Sequence, residues 1–278
     1  MSNTHTGAQT SAAIERVRPD ASAAAATVAL FDFDGTLSLI RSGWVDVMVP
    51  MMVEILLDLN TGESEAALRQ IVNEFVWRLT GKETIYQMME FAAQVQARGG
   101  AAREPLEYKK MYLDLLWTKI RGRIEELQKG HASPEQYLVP GARALLERLH
   151  SRGLTMYLAS GTDHVYMSEE ARLLDVARYF SGGVQGARDD WSFSKKILVQ
   201  RILSGSGVTG RDILGFGDGY VEIEEVKLAG GTAVGVATTE PACQDVDAWK
   251  RERLIGVGAD FIVPNFSRCD ELVGMLFG

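Results

Sequence analysis

The sequence predicts an α/β fold in which a parallel sheet carries helices on both faces and an all-helical segment follows the first strand. Three observations lead to this prediction. The apolar run Val28–Phe31 has the composition of a strand that is buried on both faces. Residues from about 40 to 136 show only helical periodicity, whereas helix and strand patterns alternate from residue 139 onward.

The chain begins with a segment that carries no clear structural pattern. Residues 1–26 are rich in Ala, Ser and Thr and show little apolar periodicity, so we expect a disordered tail there. The strand Val28–Phe31 follows almost directly and opens the predicted core.

Helix end signals and apolar spacing divide the next segment into helices. Ser64 can cap a helix whose apolar residues recur at helical intervals. The same spacing continues over residues 85–95. Pro105 suits the first turn of a long helix that stops at Gly130. We therefore assign residues 41–136 to a helical domain.

Helix and strand patterns alternate in the rest of the chain, and this alternation is typical of a parallel sheet covered by helices. The predicted strands here are residues 154–159, 212–216, 233–237 and 261–263, and the main predicted helices are residues 142–152, 195–203 and 267–277. Residues 27–40 and 137–278 together form the predicted α/β core.

Composition narrows the classes of function. Of the 278 residues, 46% are hydrophobic, which is enough apolar material for a sizeable core. The formal net charge of -8 argues against a nucleic-acid partner and against an anionic membrane surface. No apolar run is long enough to span a bilayer. Two cysteines without a Cys/His cluster favour reduced thiols and predict a cytoplasmic protein.

Four polar motifs follow predicted strands or open the helices after them, at the edge where open parallel sheets bind ligands. The first is Asp-Phe-Asp-Gly-Thr at residues 32–36, where a turn can aim Asp32 and Asp34 in different directions. The second is Ser-Gly-Thr at residues 160–162, where a hydroxyl and free amides can hold a phosphate oxygen. Taken alone, the first fits an Asp-Gly turn as well, and the second fits an ordinary helix cap.

The third motif is Ser-Lys-Lys at residues 194–196, where a lysine at a helix start can offset the charge of a phosphoryl group. The fourth contains Asp218 and Glu222 after the strand 212–216, and two acids at that spacing can hold a hard cation. Taken alone, the lysines fit a solvated surface and the acids fit a Gly-rich turn. The functional interpretation depends on all four motifs occurring in order.

In this order the motifs resemble those of the haloacid dehalogenase-like superfamily, in the phosphatase branch that carries a helical cap between the first and second motifs. The resemblance covers residues 27–40 and 137–278, and it implies a Rossmann-like core. Carried over residue by residue, it implies that Asp32 is the nucleophile and that Asp34 is the general acid and base.

The same resemblance implies the other catalytic roles. Ser160 and the Gly161 amide would hold the phosphate, and Lys195 would neutralise charge, with Lys196 open as the alternative. Glu222 stands where an aspartate is usual, which leaves its direct contact with the metal open. The implied cofactor is Mg²⁺, and the implied metal ligands are Asp32, Asp34, Asp218 and Glu222.

The identity of the residue two positions after the nucleophile favours phosphoryl transfer. A carboxyl group there can protonate a leaving group and later activate water. We therefore predict a magnesium-dependent phosphatase that hydrolyses a small phosphomonoester, a sugar phosphate or related metabolite, through a phosphoaspartate. A phosphomutase with the same core is the alternative. A non-catalytic binding module fits less well, because all the motif residues are present.

The helical insertion resembles a mobile cap that selects small substrates. Trp44, Asp163 and His164 are further candidates for the site, although Trp44 and Lys82 also fit a core position and a solvated loop. The expected partner is a small phosphorylated metabolite, with no nucleic acid and no membrane, and the protein is expected to be a monomer or homodimer. The predicted substrate-binding residues are Gly161, Thr36, Lys82 and Arg41.

Overall fold

A seven-stranded sheet lies at the centre of the computed structural model, which describes residues 13–188, 192–205 and 207–278. Its strands are β1 (Glu15–Arg16), β2 (Val28–Phe31), β3 (Thr155–Asp163), β4 (Gly183–Ala187), β5 (Ile213–Gly217), β6 (Thr232–Val236) and β7 (Phe261–Val263). They lie side by side in the order β1-β7-β6-β5-β2-β3-β4. The neighbouring pairs are parallel except β1 and β7, which are antiparallel.

Ten α-helices accompany the sheet in the described part of the chain. They are α1 (Val45–Leu57), α2 (Glu65–Leu79), α3 (Thr84–Ala97), α4 (Pro105–Gln128), α5 (Ala142–Ser151), α6 (His164–Leu173), α7 (Lys195–Ser204), α8 (Tyr220–Ala229), α9 (Ala248–Gly256) and α10 (Cys269–Phe277). None of these helices combines the length and the apolar character that a membrane crossing requires.

The helical insertion between β2 and β3 is built from α1 to α4. Its helix ends follow the sequence signals: the Ser64 hydroxyl accepts a hydrogen bond from the Ala67 amide at 3.3 Å, and Pro105 occupies the first turn of α4. Apolar residues such as Met52 and Phe91 lie on the buried faces of these helices. Local capping and amphipathic spacing therefore account for this segment.

The two faces of the sheet bury two sets of apolar side chains. Along β2, Val28 and Leu30 belong to one cluster, while Ala29 and Phe31 belong to the other. This alternation is expected of a strand that is covered on both faces. The cluster that contains Phe31 also includes buried residues of α1 to α4, so the core of that face continues into the helical insertion.

The end of the predicted tail is ordered, which corrects the prediction for residues 13–26. Glu15 and Arg16 pair with Ile262 and Phe261 of β7, and Ala23 is buried. The short strand β1 thereby satisfies backbone groups at what would otherwise be the sheet edge. This pairing depends on a distant strand and leaves no periodic pattern in the tail sequence. Residues 1–12 of the predicted tail lie outside the described residues.

Four further elements had no separate bounds in the predictions, namely β4, α6, α9 and α1, of which α1 lay within the helical domain assigned to residues 41–136. β4 has the sequence Gly-Val-Gln-Gly-Ala, which lacks an apolar run. The helices α6 and α9 have mixed compositions, although α9 ends just before Gly258, whose φ is +100°. β3 extends through Asp163 and therefore contains the predicted second motif, instead of ending before it. The other predicted strands and helices agree with the structure to within two residues at their ends.

Stacking between the two central strands generates a stability prediction. The rings of Phe31 and Phe216 lie 4.5 Å apart and nearly parallel, and both side chains are fully buried. We expect Phe216→Ala to lower the free energy of unfolding by about 3–5 kcal/mol, because it leaves a cavity in the core. Urea unfolding of the full chain measures this change.

The exposed Leu228 of α8 provides a control for that measurement, since 76% of it is accessible to solvent. Leu228→Ala should change the free energy of unfolding by less than about 0.5 kcal/mol. Equal losses for the two variants would contradict a central role for the Phe31–Phe216 pair.

Candidate active site

The ends of three adjacent strands bring the sequence motifs together. β2 pairs with β3 and with β5, so that Phe31 lies opposite both Leu158 and Phe216. The residues that follow these positions therefore meet at one edge of the sheet. They surround a cavity of about 100 Å³ whose wall includes Asp32, Asp34, Ser160, Lys195 and Asp218.

The ammonium group of Lys195 joins two carboxylates at this edge. Its Nζ donates to Asp32 Oδ1 at 2.8 Å and to Glu222 Oε2 at 2.7 Å. The Ser194 hydroxyl caps α7 by accepting from the helix backbone at 3.2 Å, which places Lys195 in the first turn. Lys195 is buried whereas Lys196 is exposed. The structure therefore brings Lys195, and not Lys196, to the cavity.

Burial perturbs the ionisation of this pair. Desolvation raises the pKa of Asp32 well above its ordinary value, while the Lys195 ammonium opposes that increase and the Glu222 carboxylate adds to it. Burial alone would lower the pKa of Lys195, but the carboxylates of Asp32 and Glu222 raise it overall. The lysine therefore remains charged inside the protein.

Asp34 has one engaged oxygen and one unpaired oxygen. Its Oδ2 accepts hydrogen bonds from Thr162 Oγ1 at 2.8 Å and from Ser160 Oγ at 3.2 Å. Its Oδ1 is buried without a hydrogen-bond partner among the described residues, and Arg41 Nε lies 4.0 Å away. Desolvation raises the pKa of Asp34, and the Arg41 charge and both hydroxyls oppose the increase. A carboxyl whose unpaired oxygen is shielded from solvent is suited to carrying a proton.

Three carboxylates form a group that fits a hard cation. One oxygen from each of Asp32, Asp218 and Glu222 lies within 4.8 Å of the others. Mg²⁺ takes carboxylate oxygens as ligands, so the chemistry of this donor set matches the predicted metal. The predicted set also contained Asp34, whose carboxylate lies outside this group and is held by the two hydroxyls instead.

Comparison with known proteins identifies the family. The model of the family described as haloacid dehalogenase-like hydrolase matches residues 26–230, which is more than half of the chain and includes all four motifs. The chain belongs to this family. No curated protein matches the sequence.

Solved structures support the same fold. A predicted phosphoglycolate phosphatase from Haemophilus somnus 129pt is 15% identical with a TM-score of 0.59, and the match covers 89% of this chain and 98% of that one. A phosphonoacetaldehyde hydrolase-like protein from Oleispira antarctica is 16% identical, with a TM-score of 0.58 and coverages of 91% and 93%. A proposed β-phosphoglucomutase from Thermotoga maritima is 18% identical, with a TM-score of 0.51 and coverages of 89% and 98%. At these identities the similarity establishes the fold alone.

Thr36 lies behind the site and not on the cavity wall of this hydrolase. Its side chain is fully buried, and its hydroxyl accepts a hydrogen bond from the Asp218 amide at 2.9 Å. This position corrects the prediction that Thr36 contacts substrate, because the residue instead fixes the loop that carries Asp218. The turn at Gly35, with φ at +74°, directs the Thr36 side chain into the core.

Arg41 does line the cavity, and its guanidinium is held by a buried acid. Its Nη2 donates to Glu170 Oε1 at 2.7 Å, and its Nε donates to both carboxylate oxygens at 3.1 Å. Desolvation raises the pKa of Glu170 to about 6, and the Arg41 charge opposes that increase. The pair keeps an arginine beside Asp34 in a fixed orientation.

The loop between α2 and α3 lies between two core loops. A Cβ atom at Gly161 would lie 2.6 Å from the Lys82 carbonyl oxygen, and one at Gly219 would lie 2.8 Å from the Gly81 Cα. Glycine at these positions permits the close approach. Lys82 lines the cavity, and its Nζ lies 5.5 Å from the centre of the Tyr86 ring. Its contact with substrate stays a prediction.

The other predicted candidates occupy different places. Trp44 and Asp163 line the cavity, and Asp163 Oδ1 accepts a hydrogen bond from Lys109 Nζ of α4 at 2.5 Å. His164 is absent from the described wall of the cavity, and its ring lies 3.3 Å from the Ser168 hydroxyl on the next turn of α6.

Several polar residues of the site were missed by the sequence analysis: Thr162 as a partner of Asp34, Lys109, Glu170, Glu240 and Lys250. Glu240 follows β6 at the same sheet edge as the motifs, so the rule that ligands meet strand ends would have flagged it. Lys109 and Glu170 occur on amphipathic helices, where a charged residue gives no signal of being buried.

Arg253 of α9 connects the core to the helical insertion. Its guanidinium donates to the carbonyl oxygens of Trp77, Arg78 (2.6 Å) and Thr80 (3.4 Å), at the end of α2. Its other face lies against the Tyr220 ring, with 4.4 Å between the guanidinium carbon and the ring centroid. The carbonyls at the end of a helix need donors, and Arg253 supplies them. Arg253 therefore holds the loop that lines the cavity.

Loss of this contact should loosen the loop. We expect Arg253→Leu to increase hydrogen exchange of the Thr80 and Lys82 amides by about tenfold or more, because a hydrogen bond from a charged donor contributes about 1.5–3 kcal/mol. Hydrogen exchange with mass spectrometry or NMR measures this effect. Arg211→Leu is the control, since Arg211 is exposed and precedes β5 at the opposite sheet edge. Equal exchange at these amides in both variants would show that Arg253 does not hold the loop.

Proposed function

We propose that this hydrolase is a magnesium-dependent phosphatase that cleaves a small phosphomonoester and carries the phosphoryl group transiently on Asp32. One observation supports this most directly: two carboxyls, the buried Asp32 and the partly exposed Asp34, share the cavity in different states. Asp32 is bonded to Lys195, whereas Asp34 keeps an unpaired oxygen. A covalent route needs these two groups, a nucleophile and a proton donor.

The chemistry proceeds in two steps. Asp32 Oδ2, the oxygen that is not bonded to Lys195, attacks phosphorus, and the bond from phosphorus to the leaving oxygen breaks. Asp34 gives its proton to that oxygen, which releases the alcohol. Asp34 then takes a proton from water, the water oxygen bonds to phosphorus, and the bond to Asp32 breaks. Inorganic phosphate leaves, and both carboxyl groups return to their starting states.

Neighbouring groups offset the charge on the transferred phosphoryl group. Lys195, the Ser160 hydroxyl and the Gly161 backbone lie on the cavity wall and can contact its oxygens. A divalent cation held by Asp32, Asp218 and Glu222 supplies the positive charge that lets a phosphate dianion approach a carboxylate.

The cavity favours a small polar substrate. The helical insertion supplies part of its wall, which limits access by a folded protein. Other residues of the wall combine hydrogen-bonding groups with an aromatic surface, which suits the hydroxyls and the carbon face of a sugar. These residues include Arg41, Trp44, Lys82, Thr84 and Gln87.

A phosphomutase that returns the phosphoryl group to a bound sugar phosphate is the alternative, and the fold similarity to a proposed β-phosphoglucomutase is the observation that favours it. Only activation by a bisphosphorylated sugar would distinguish it. The predicted cytoplasmic location and the predicted monomer or homodimer state remain predictions.

Phosphate release by the purified full chain, measured across a panel of phosphorylated metabolites, tests the proposed reaction. We expect release with Mg²⁺, little release with a chelator, and the highest kcat/KM on one or a few sugar phosphates. Asp32→Asn should abolish turnover because an amide cannot form the phosphoaspartate. Turnover by Asp32→Asn near the wild-type rate would rule out Asp32 as the nucleophile.

The neighbouring lysines supply a matched pair for the same assay. Lys195→Ala removes the ammonium bonded to Asp32, whereas Lys196→Ala removes an exposed charge on the next residue. We expect a loss of kcat of about 10²-fold or more for Lys195→Ala, the usual effect of removing one group that stabilises transition-state charge. Lys196→Ala should retain nearly full activity, and the reverse result would reassign the role.

The acid role of Asp34 predicts a dependence on the leaving group. Asp34→Asn should slow hydrolysis of an alkyl phosphate by about 10²–10⁴-fold, because an alkoxide leaves slowly without a proton. p-Nitrophenyl phosphate has a leaving group that needs no proton. It should still phosphorylate Asp32 and give a stoichiometric burst of nitrophenolate in stopped-flow measurements. An equal loss in the first step for both substrates would show that Asp34 does not protonate the leaving group.

A further inference from the structure

A second buried lysine lies beside the carboxylate group, outside all four sequence motifs. Lys250 Nζ donates to Asp218 Oδ2 at 2.9 Å and to Glu240 Oε1 at 3.2 Å. Only 7% of Lys250 is accessible to solvent, and both Asp218 and Glu240 line the cavity. The carboxylates raise the pKa of Lys250 despite its burial, so the side chain stays charged.

The backbone around these residues fixes their positions. The Asp247 side chain caps α9 by accepting from the Lys250 amide at 2.8 Å, which places Lys250 in the first turn. The loop between β6 and α9 is closed at its base, because the Asp247 amide donates to the Ala237 carbonyl at 2.8 Å. Thr239 and Asp245 bond to each other across the same loop. Lys250 and Glu240 are therefore presented by a rigid loop and a capped helix.

Asp218 is held from two sides as a result. The Thr36 hydroxyl fixes its amide, and Lys250 takes one carboxylate oxygen. The other carboxylate oxygen of Asp218 remains for a cation, and one oxygen is enough for a single bond to it. Glu240 supplies the second negative charge that keeps the buried Lys250 ammonium compensated.

We propose that Lys250, balanced by Glu240, is a positioning residue that orients Asp218 for a divalent cation at the Asp32–Asp218–Glu222 group. This inference rests on the proposed metal-dependent function. Groups that hold metal ligands in place typically change metal affinity by about 10- to 100-fold when they are removed.

The opposite effect is expected if Lys250 merely occupies the place of the cation. An ammonium group near a cation repels it, so removal of a competing lysine would strengthen Mg²⁺ binding. When Lys250 is replaced, orientation therefore predicts a higher Kd for Mg²⁺ and competition predicts a lower one. One binding measurement separates the two.

Isothermal titration of the full chain with MgCl₂, without substrate, provides that measurement. We expect Lys250→Met, which keeps most of the side-chain length, to raise the Kd for Mg²⁺ by about 10-fold or more. Lys250→Arg, which restores a charged donor, should recover part of the affinity. An unchanged or tighter Kd for Lys250→Met would overturn the proposal. Absence of Mg²⁺ binding by the wild-type chain would instead count against the proposed metal-dependent function.

Lys227→Met is the matched control. Lys227 forms a comparable ion pair, with 2.7 Å between its Nζ and Asp260 Oδ2, and it also donates to the Gly231 carbonyl. It lies on the C-terminal part of α8, away from the carboxylate group. Its replacement should leave the Kd for Mg²⁺ within about twofold, and an equal loss in both variants would overturn the specific role. Circular dichroism checks folding, and Lys250→Leu, which also lacks a donor, replaces Lys250→Met in the titration if that variant is unfolded.

Discussion

The buried ion pairs of Lys195 are the interactions on which the rest of the site depends. Asp32 and Glu222 both contact its ammonium, and two carboxylates this close to one positive centre would repel each other strongly without it. Breaking a buried pair by removing one partner costs about 3–5 kcal/mol, because the remaining charge is uncompensated. The Asp32 amide also donates to the Phe216 carbonyl at 2.9 Å, so β5 holds the backbone as Lys195 holds the side chain. The candidate nucleophile is thus positioned by sheet pairing and by a capped helix.

The distribution of charge across the cavity follows from this arrangement. Lys195 and Lys250 each contact two carboxylates, so the sheet side of the site carries more acidic than basic groups. A phosphate would add further negative charge there, and the donor set for a hard cation lies among those same acids. Arg41 and Lys109, which also line the cavity, are each already held by an acid. Electrostatic balance therefore favours a cation at the sheet edge over a rearrangement of the existing pairs.

The features that could be predicted from sequence are those that local patterns encode. The strand Val28–Phe31, the Ser64 cap and the Ser194 cap each leave a recognisable signal of apolar spacing or end chemistry. The pairing of Glu15 with β7 and the contact of Lys250 with Asp218 leave none, because each joins residues that are far apart in the chain. Those features depend on tertiary packing, which one sequence without structure does not specify.

The contacts between the helical insertion and the core also differ in kind from place to place. Where the chain passes between the core and the insertion, at residues 37–40 and 138–139, apolar side chains of both parts belong to one buried cluster. Around the cavity the contacts are of another kind: glycine backbone against backbone, and charged side chains against carbonyls or acids. Water can replace hydrogen bonds and ion pairs when they break, but it cannot replace buried apolar contacts without a large cost. Separation of the insertion from the core would therefore cost less at the cavity than where the chain passes between the two parts, and the proposed function would need this difference to admit substrate and then exclude water.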